Sequence, residues 1–342
     1  MNENTEKTVA TAPAAEKKPA PKKAPAKERI ILDVAYQPQV RTNTDTRRLM
    51  LDVIIALLPA VVISVFQFGW HPLLVIACSI ASAVFFEWGY RRLLKKTDSI
   101  GDLSAVLTGL LLALNLPANV PLWIPLIGSV FAIIIVKQLF GGIGHNFLNP
   151  ALAARAVLLT SWPSHMTKAY LPLRTLFGSA AATGVDTLAS ATPLLVPGTT
   201  EARDLFFGNI PGAIGETCKL AILIGLVYLL VRRVISWEIP VVMVGTVALC
   251  SWALGADPLK AVLSGGLLLG ACFMATDYVT TPMLKLGHVI YAVGCGLMVA
   301  LIRQFGNYPE GVTYAILLMN IVTPLLDRAL KRKVYGEVKQ HG

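Results

Sequence analysis

Ten apolar runs lie between residues 49 and 329, and they constrain this chain more than any other feature. They cover about 49–69, 73–92, 103–116, 122–140, 149–162, 213–233, 239–255, 259–275, 286–303 and 312–329. A helix of about 20 apolar residues crosses the roughly 30 Å hydrocarbon core of a bilayer. Composition agrees: 55% of residues are hydrophobic and 15% charged, against about 25% charged in a soluble domain. The pattern predicts an all-α polytopic membrane protein and excludes an ordinary soluble enzyme. The third, fifth and eighth runs are short for a crossing.

The net charge of +10 invites a nucleic-acid reading, but the positions of the charges argue against it. Residues 1–45 form an Ala/Pro/Lys-rich arm with no apolar stretch, read as disordered and cytoplasmic. It is not a cleaved signal peptide. Arg91, Arg92, Lys95, Lys96, Lys137, Arg232, Arg233 and Lys285 fall on alternate connections, and Arg328, Lys331, Arg332, Lys333 and Lys339 close the chain. With both termini in the cytoplasm, these all lie inside, as the positive-inside bias requires. The connection 163–212 is then extracytoplasmic, between a first half 46–162 and a second half 213–333, with 334–342 as a cytoplasmic tail. Membrane and partner subunits, not nucleic acid, are the expected contacts.

The halves resemble each other. Ser104-Ala-Val-Leu-Thr-Gly-Leu-Leu-Leu112 parallels Lys260-Ala-Val-Leu-Ser-Gly-Gly-Leu-Leu268, and Lys137-Gln-Leu-Phe-Gly141 parallels Arg303-Gln-Phe-Gly306. Five runs per half is odd, so the repeats would be inverted, an arrangement that places binding regions near the midplane on interrupted helices.

Charges within the runs need a reason. Asp52 and Asp102 stand near helix starts, where a carboxylate suits the dipole. Glu87 can pair with Arg91 at i,i+4, and Glu216 with Lys219 at i,i+3. Arg155 and Asp277 have no opposite charge nearby in sequence. Asp102 and Asp277 are therefore candidates to line an ion path, and Arg155 to compensate an anionic cofactor. The Gly-rich turn 141–148 runs into Asn149-Pro150, a predicted N-cap and first helical position. Backbone N–H groups there can hold an anion, or the residues can simply form a capped turn. The five cysteines, Cys78, Cys218, Cys250, Cys272 and Cys295, show no C-x-x-C pattern and read as small packing residues.

Asp186-Thr-Leu-Ala189-Ser190-Ala191-Thr192 sits in the 163–212 connection. Taken with Asp102-Leu-Ser-Ala-Val-Leu-Thr108, Lys137-Gln-Leu-Phe-Gly-Gly-Ile-Gly, Asn146-Phe-Leu-Asn149-Pro-Ala, Gly208-Asn-Ile-Pro-Gly-Ala-Ile-Gly-Glu216-Thr, Phe273-Met-Ala-Thr276-Asp277 and Tyr308-Pro-Glu-Gly, it resembles a known family. These are the D subunits of the Rnf ion-translocating ferredoxin:NAD oxidoreductases and the related B subunits of sodium-pumping NADH:quinone oxidoreductases. The likeness spans about residues 30–333.

The resemblance implies a urea-transporter-like fold of two inverted five-helix halves. It implies FMN joined to Thr192 by a phosphoester, within a signature that Asp186, Ser190 and Ala191 share. Ala189 and Ser190 stand where many members carry a hydroxyl residue and Gly. An FAD-dependent FMN transferase would attach the flavin on the extracytoplasmic face of a bacterial or archaeal cytoplasmic membrane. A second, noncovalent flavin such as riboflavin, and iron–sulfur, NADH-binding and further FMN-bearing partner subunits, are also implied. Other readings of the same residues are a channel for a small polar solute and a scaffold with a vestigial motif. The shorter leading region favours the ferredoxin-linked branch over the quinone-reducing one.

Overall fold

The computed structural model describes residues 45–96, 99–170, 172–174, 189–190, 201–306 and 311–330. Among the described residues, four helices are long and apolar enough to cross a membrane: α1 (Thr46–Phe68), α2 (His71–Leu93), α12 (Lys285–Phe305) and α13 (Val312–Ala329). At 1.5 Å per residue, the 23 residues of α1 reach about 35 Å. Shorter apolar helices pack among them: α3 (Ser104–Leu114), α4 (Trp123–Gln138), α5 (Pro150–Ser161), α8 (Lys219–Val231) and α9 (Glu238–Ala253). The last part of α4, Phe131–Gln138, is wound as a π-helix. Minor helices are α6 (Pro163–Met166), α7 (Ala202–Phe207), α10 (Pro258–Leu263) and α11 (Leu267–Leu269), the last running into a π-turn at Gly270–Met274. The chain is a multi-pass membrane protein.

Its surface is inverted relative to a soluble protein. Val62, Phe85, Leu249 and Ile321 are all exposed along helices, an apolar area that needs lipid or partner subunits to cover it. Trp70, Trp123, Trp162 and Trp252 lie at the α1–α2 turn, the start of α4 and the ends of α5 and α9; Trp88 and Trp237 lie near the opposite ends of α2 and α9. Amphipathic indoles at helix ends suit membrane interfaces. Trp123 and Trp162 pack edge to face at 5.3 Å between centroids.

Small residues let helices approach closely. A Cβ on Gly225 of α8 would stand 2.2 Å from the Ala56 carbonyl oxygen of α1. One on Gly109 of α3 would stand 2.8 Å from the Ser79 carbonyl oxygen of α2.

Two expectations about the runs need correction. The run 213–233 becomes helical only at Lys219. Before it, Ile214 N–H donates to the Leu116 carbonyl (2.9 Å) and Gly215 N–H to the Leu114 carbonyl (2.8 Å), in register with an antiparallel bridge between Pro117 and Ala213. Non-helical backbone within a membrane domain is tolerated where it is paired within protein. The run 259–275 is broken at Gly265-Gly266, where Gly265 has a φ of +63° that favours glycine. The interrupted helices α3 and α10–α11 thus both abut the segment 212–219. The described fold is mostly helical, as expected, with one two-residue antiparallel pair besides: β1 (Ala169–Tyr170) with β2 (Ala189–Ser190), in register Ala169 with Ser190 and Tyr170 with Ala189.

Candidate functional site

Several polar assemblies occupy the described membrane domain, and three concern the candidate residues and the connection. The first lies where the broken helices meet. Arg155 of α5, 6% exposed, donates from a guanidinium nitrogen to Asn115 Oδ1 at 2.6 Å. Asn115 caps α3 and donates back to the Leu111 carbonyl at 2.7 Å. Glu216 accepts from the Ala213 N–H at 3.0 Å. Lys219, fully buried, donates to the Glu216 main-chain oxygen and to the Gly265 carbonyl. Glu216 and Lys219 therefore do not form the carboxylate–ammonium pair that their spacing suggests. Lys219 instead satisfies carbonyls freed by the helix break.

The second assembly begins at the start of α3. Asp102 Oδ1 accepts from Ser104 N–H (2.8 Å) and Ser104 Oγ (2.5 Å), so from one residue before the N-cap Leu103 it satisfies the first N–H of α3. Lys137 Nζ donates to Ser104 Oγ and to Glu87 Oε2, each at 2.6 Å. Ser99 Oγ donates to Glu87 Oε1 at 2.5 Å. Glu87 thus pairs with Lys137 and not with Arg91, and Lys137 is buried in the π-wound end of α4, not on a surface connection. A π-helical turn is a frequent feature of functional sites.

Beside this network opens a cavity lined by Ser104, Thr108, Lys137, Asn146, Asn149, Phe273, Thr276, Asp277 and Tyr278, with Met50, Val53 and Leu229 among its apolar walls. Asn149 caps α5 as expected, accepting from Ala151 and Leu152 N–H at 3.1 and 3.4 Å, with Pro150 at the first helical position. Because the side chain already takes those two N–H groups, the capped-turn reading describes this helix end better than an anion cradle. Asp277 lines the cavity and accepts from Val279 N–H and Thr280 Oγ1, each at 3.4 Å. Asp52 sits one turn further into α1 than a dipole role requires. It holds Arg232 through both oxygens at 3.2 Å and accepts from Tyr228 at 3.1 Å, tying α1 to α8.

The third assembly surrounds Gln67, at the far end of α1, a residue that the apolar pattern gives no reason to single out. Its amide bonds to three residues of the 201–218 stretch, and its main-chain carbonyl to two residues of the connection.

The structure brings Asp102, Asn149 and Asp277 around one cavity and its bordering network, and sets Arg155 in the separate break cluster. Asp186, Ala191 and Thr192 lie outside the described residues. Of Ser190, the pairing of its backbone in β2 is described.

Residues 33–336 match the model of the NQR2, RnfD, RnfE family. The chain belongs to this family. Among curated members, it is 48% identical to the D subunit of the Na(+)-translocating ferredoxin:NAD(+) oxidoreductase complex of Acetobacterium woodii, over 90% of this chain and 96% of the relative. It is 41% identical to the D subunit of the proton-translocating ferredoxin:NAD(+) oxidoreductase complex of Clostridium ljungdahlii, with the same coverage. It is also 41% identical to the D subunit of the ion-translocating oxidoreductase complex of Stutzerimonas stutzeri, over 87% of this chain and 93% of the relative. These NQR2, RnfD, RnfE members carry different translocated ions in their names, so membership alone does not assign the ion.

Proposed function

We propose that this chain is the D subunit of an ion-translocating ferredoxin:NAD⁺ oxidoreductase, an electron-carrying membrane subunit and not a complete enzyme. The observation that carries this is the end-to-end match to curated D subunits, at 48% identity over 96% of one of them. Its partners would be the iron–sulfur, NADH-binding and further flavin-bearing subunits, since the chain has no nicotinamide or iron–sulfur motif of its own.

The covalent cofactor is FMN on the Thr192 hydroxyl, delivered by an FAD-dependent transferase. A bound flavin supplies one- and two-electron redox chemistry, and the protein supplies its position and electrostatics. Charge counting supports cytoplasmic termini and an extracytoplasmic Thr192. The inverted-repeat reading has a structural parallel: Lys137 reaches Ser104 at the start of α3, and Arg303 reaches the Ala261 and Ser264 carbonyls of the matching element at 2.6 and 3.0 Å.

Asp277, on the cavity wall, and Asp102, bonded to Ser104 in the network beside it, would lie along the ion path. Arg155, buried in the break cluster, would offset negative charge on a reduced cofactor.

Membranes carrying the whole complex, with and without this chain, test the reading. Ferredoxin-dependent NAD⁺ reduction coupled to ion uptake should vanish without it and return on complementation. Undiminished coupled activity in its absence would overturn the assignment.

A further inference from the structure

α2 ends on a group of cations that its neighbours leave without acidic partners. Arg92, Lys95 and Lys96 are exposed, and no carboxylate among the described residues pairs with them. Glu87, on the same helix, is taken by Lys137 and Ser99. The helix end does not need these charged groups to close it. Lys95 N–H donates to the Arg92 carbonyl at 3.2 Å and Lys96 N–H to the Arg91 carbonyl at 2.9 Å, so the backbone satisfies its own last turn. Lys95 has a φ of +52°, in the left-handed region that glycine usually occupies at this position. A side chain costs backbone energy there, and among the described residues no hydrogen bond or ion pair of the Lys95 side chain offsets it.

Apolar surface continues from the cations. The Arg92 guanidinium lies over the Trp88 ring at 5.5 Å, and the Lys96 ammonium over the Tyr90 ring at 5.8 Å. Trp88 packs against Phe85 at 6.3 Å between centroids. Ala81, Phe85, Trp88 and Arg92 are all exposed and recur at helical spacing, so they share one face of α2. Ser79, Ala83 and Glu87 lie on the buried side of the same helix.

We propose that the closing turn of α2 binds an anionic phospholipid, its phosphate held by Arg92, Lys95 and Lys96 and one acyl chain laid along Trp88, Phe85 and Ala81. The dimensions fit. From Ala81 to Arg92 the helix rises about 16 Å, half of the roughly 30 Å hydrocarbon core and so the depth of one leaflet. A soluble anion would use the cations and leave the aromatic face idle. A zwitterionic lipid would cover that face without the net charge that three cations attract. An anionic phospholipid matches both. Cations already held against aromatic rings lose less freedom when a phosphate arrives. Charge counting puts this end of α2 at the cytoplasmic surface, where anionic lipids set a negative potential. The site depends on the chain being a multi-pass membrane protein and not on the flavin reading.

The test titrates the full chain, purified and delipidated in detergent, with phosphatidylglycerol or phosphatidylcholine of identical acyl chains, and counts bound lipid by native mass spectrometry. The wild type should bind one phosphatidylglycerol at least about tenfold more tightly than phosphatidylcholine, since each cation near an anionic headgroup is worth roughly fivefold. Arg92→Gln/Lys95→Gln/Lys96→Gln should abolish that preference, and Arg92→Lys/Lys95→Arg/Lys96→Arg should keep it. The same loss of charge in the leading arm, Lys17→Gln/Lys18→Gln/Lys22→Gln, should leave it unchanged. Phe85→Ala should weaken phosphatidylglycerol binding severalfold. Lys95→Gly should weaken it roughly fivefold while the lipid-free chain unfolds at an equal or higher temperature, the reverse of what a merely structural lysine would show. Equal affinity of the wild type for the two lipids would overturn the proposal, whether or not the variants fold. Displacement of the lipid by inorganic phosphate would mark a free-anion site and overturn it too. So would a glutamine variant that binds lipid like the wild type but no longer co-purifies with the other subunits, which would assign the surface to an acidic segment of a partner.

Discussion

Lys137 Nζ lies 2.6 Å from Glu87 Oε2, with both side chains almost wholly buried although they are fifty residues apart. The pair joins the π-wound end of α4 to α2 and, through Ser104, to the start of α3. Two charges are removed from water there, so each depends on the other and on the serine hydroxyls around them.

Removing one partner strands the other. Lys137→Met should destabilise the protein by about 3–5 kcal/mol, the usual penalty for an uncompensated buried charge. The double variant Lys137→Met/Glu87→Met should recover most of that loss. Thermal unfolding in detergent of the wild type, both single variants and the double variant measures the coupling. Additive losses would show that the pair is not energetically linked.

The contact of α1 with α8 depends on a missing side chain. Gly225→Ala should cost about 1–3 kcal/mol by overpacking, because its Cβ has the Ala56 carbonyl oxygen at 2.2 Å and Phe273 Cζ at 2.8 Å. Gly245→Ala in α9 meets nothing within 4 Å and should be neutral or slightly stabilising. Thermal unfolding of the two variants side by side checks the contrast. An equal response at both positions would contradict the close-approach account.

How much of this is legible in sequence depends on the range of the interaction. The Asn149 cap and its Pro150 can be read directly, because capping is local. Each of the ten apolar runs contains helix, because apolar content and the absence of long polar gaps are also local signals. Pairings are another matter. Spacing matches Glu87 to Arg91 because i,i+4 arithmetic sees only its own helix, while Lys137 arrives from a different one. The run 213–233 looks helical because its apolar character is genuine, yet residues 213–215 pair with the end of α3 instead. Gln67 leaves no signal at all, since a lone amide at the end of an apolar helix has meaning only through the segments that fold onto it.

The family resemblance reaches further than pattern reading can, because the Thr192 motif has no chemistry that distinguishes it from any exposed, hydroxyl-rich loop. Covalent flavin on that residue is the account's central claim. Intact-mass measurement of the full chain, co-expressed with an FMN transferase, tests it most directly. The wild type should be heavier than its sequence by one FMN less water, and Thr192→Val should carry no addition. An unmodified wild-type mass, or an addition that survives Thr192→Val, would contradict it.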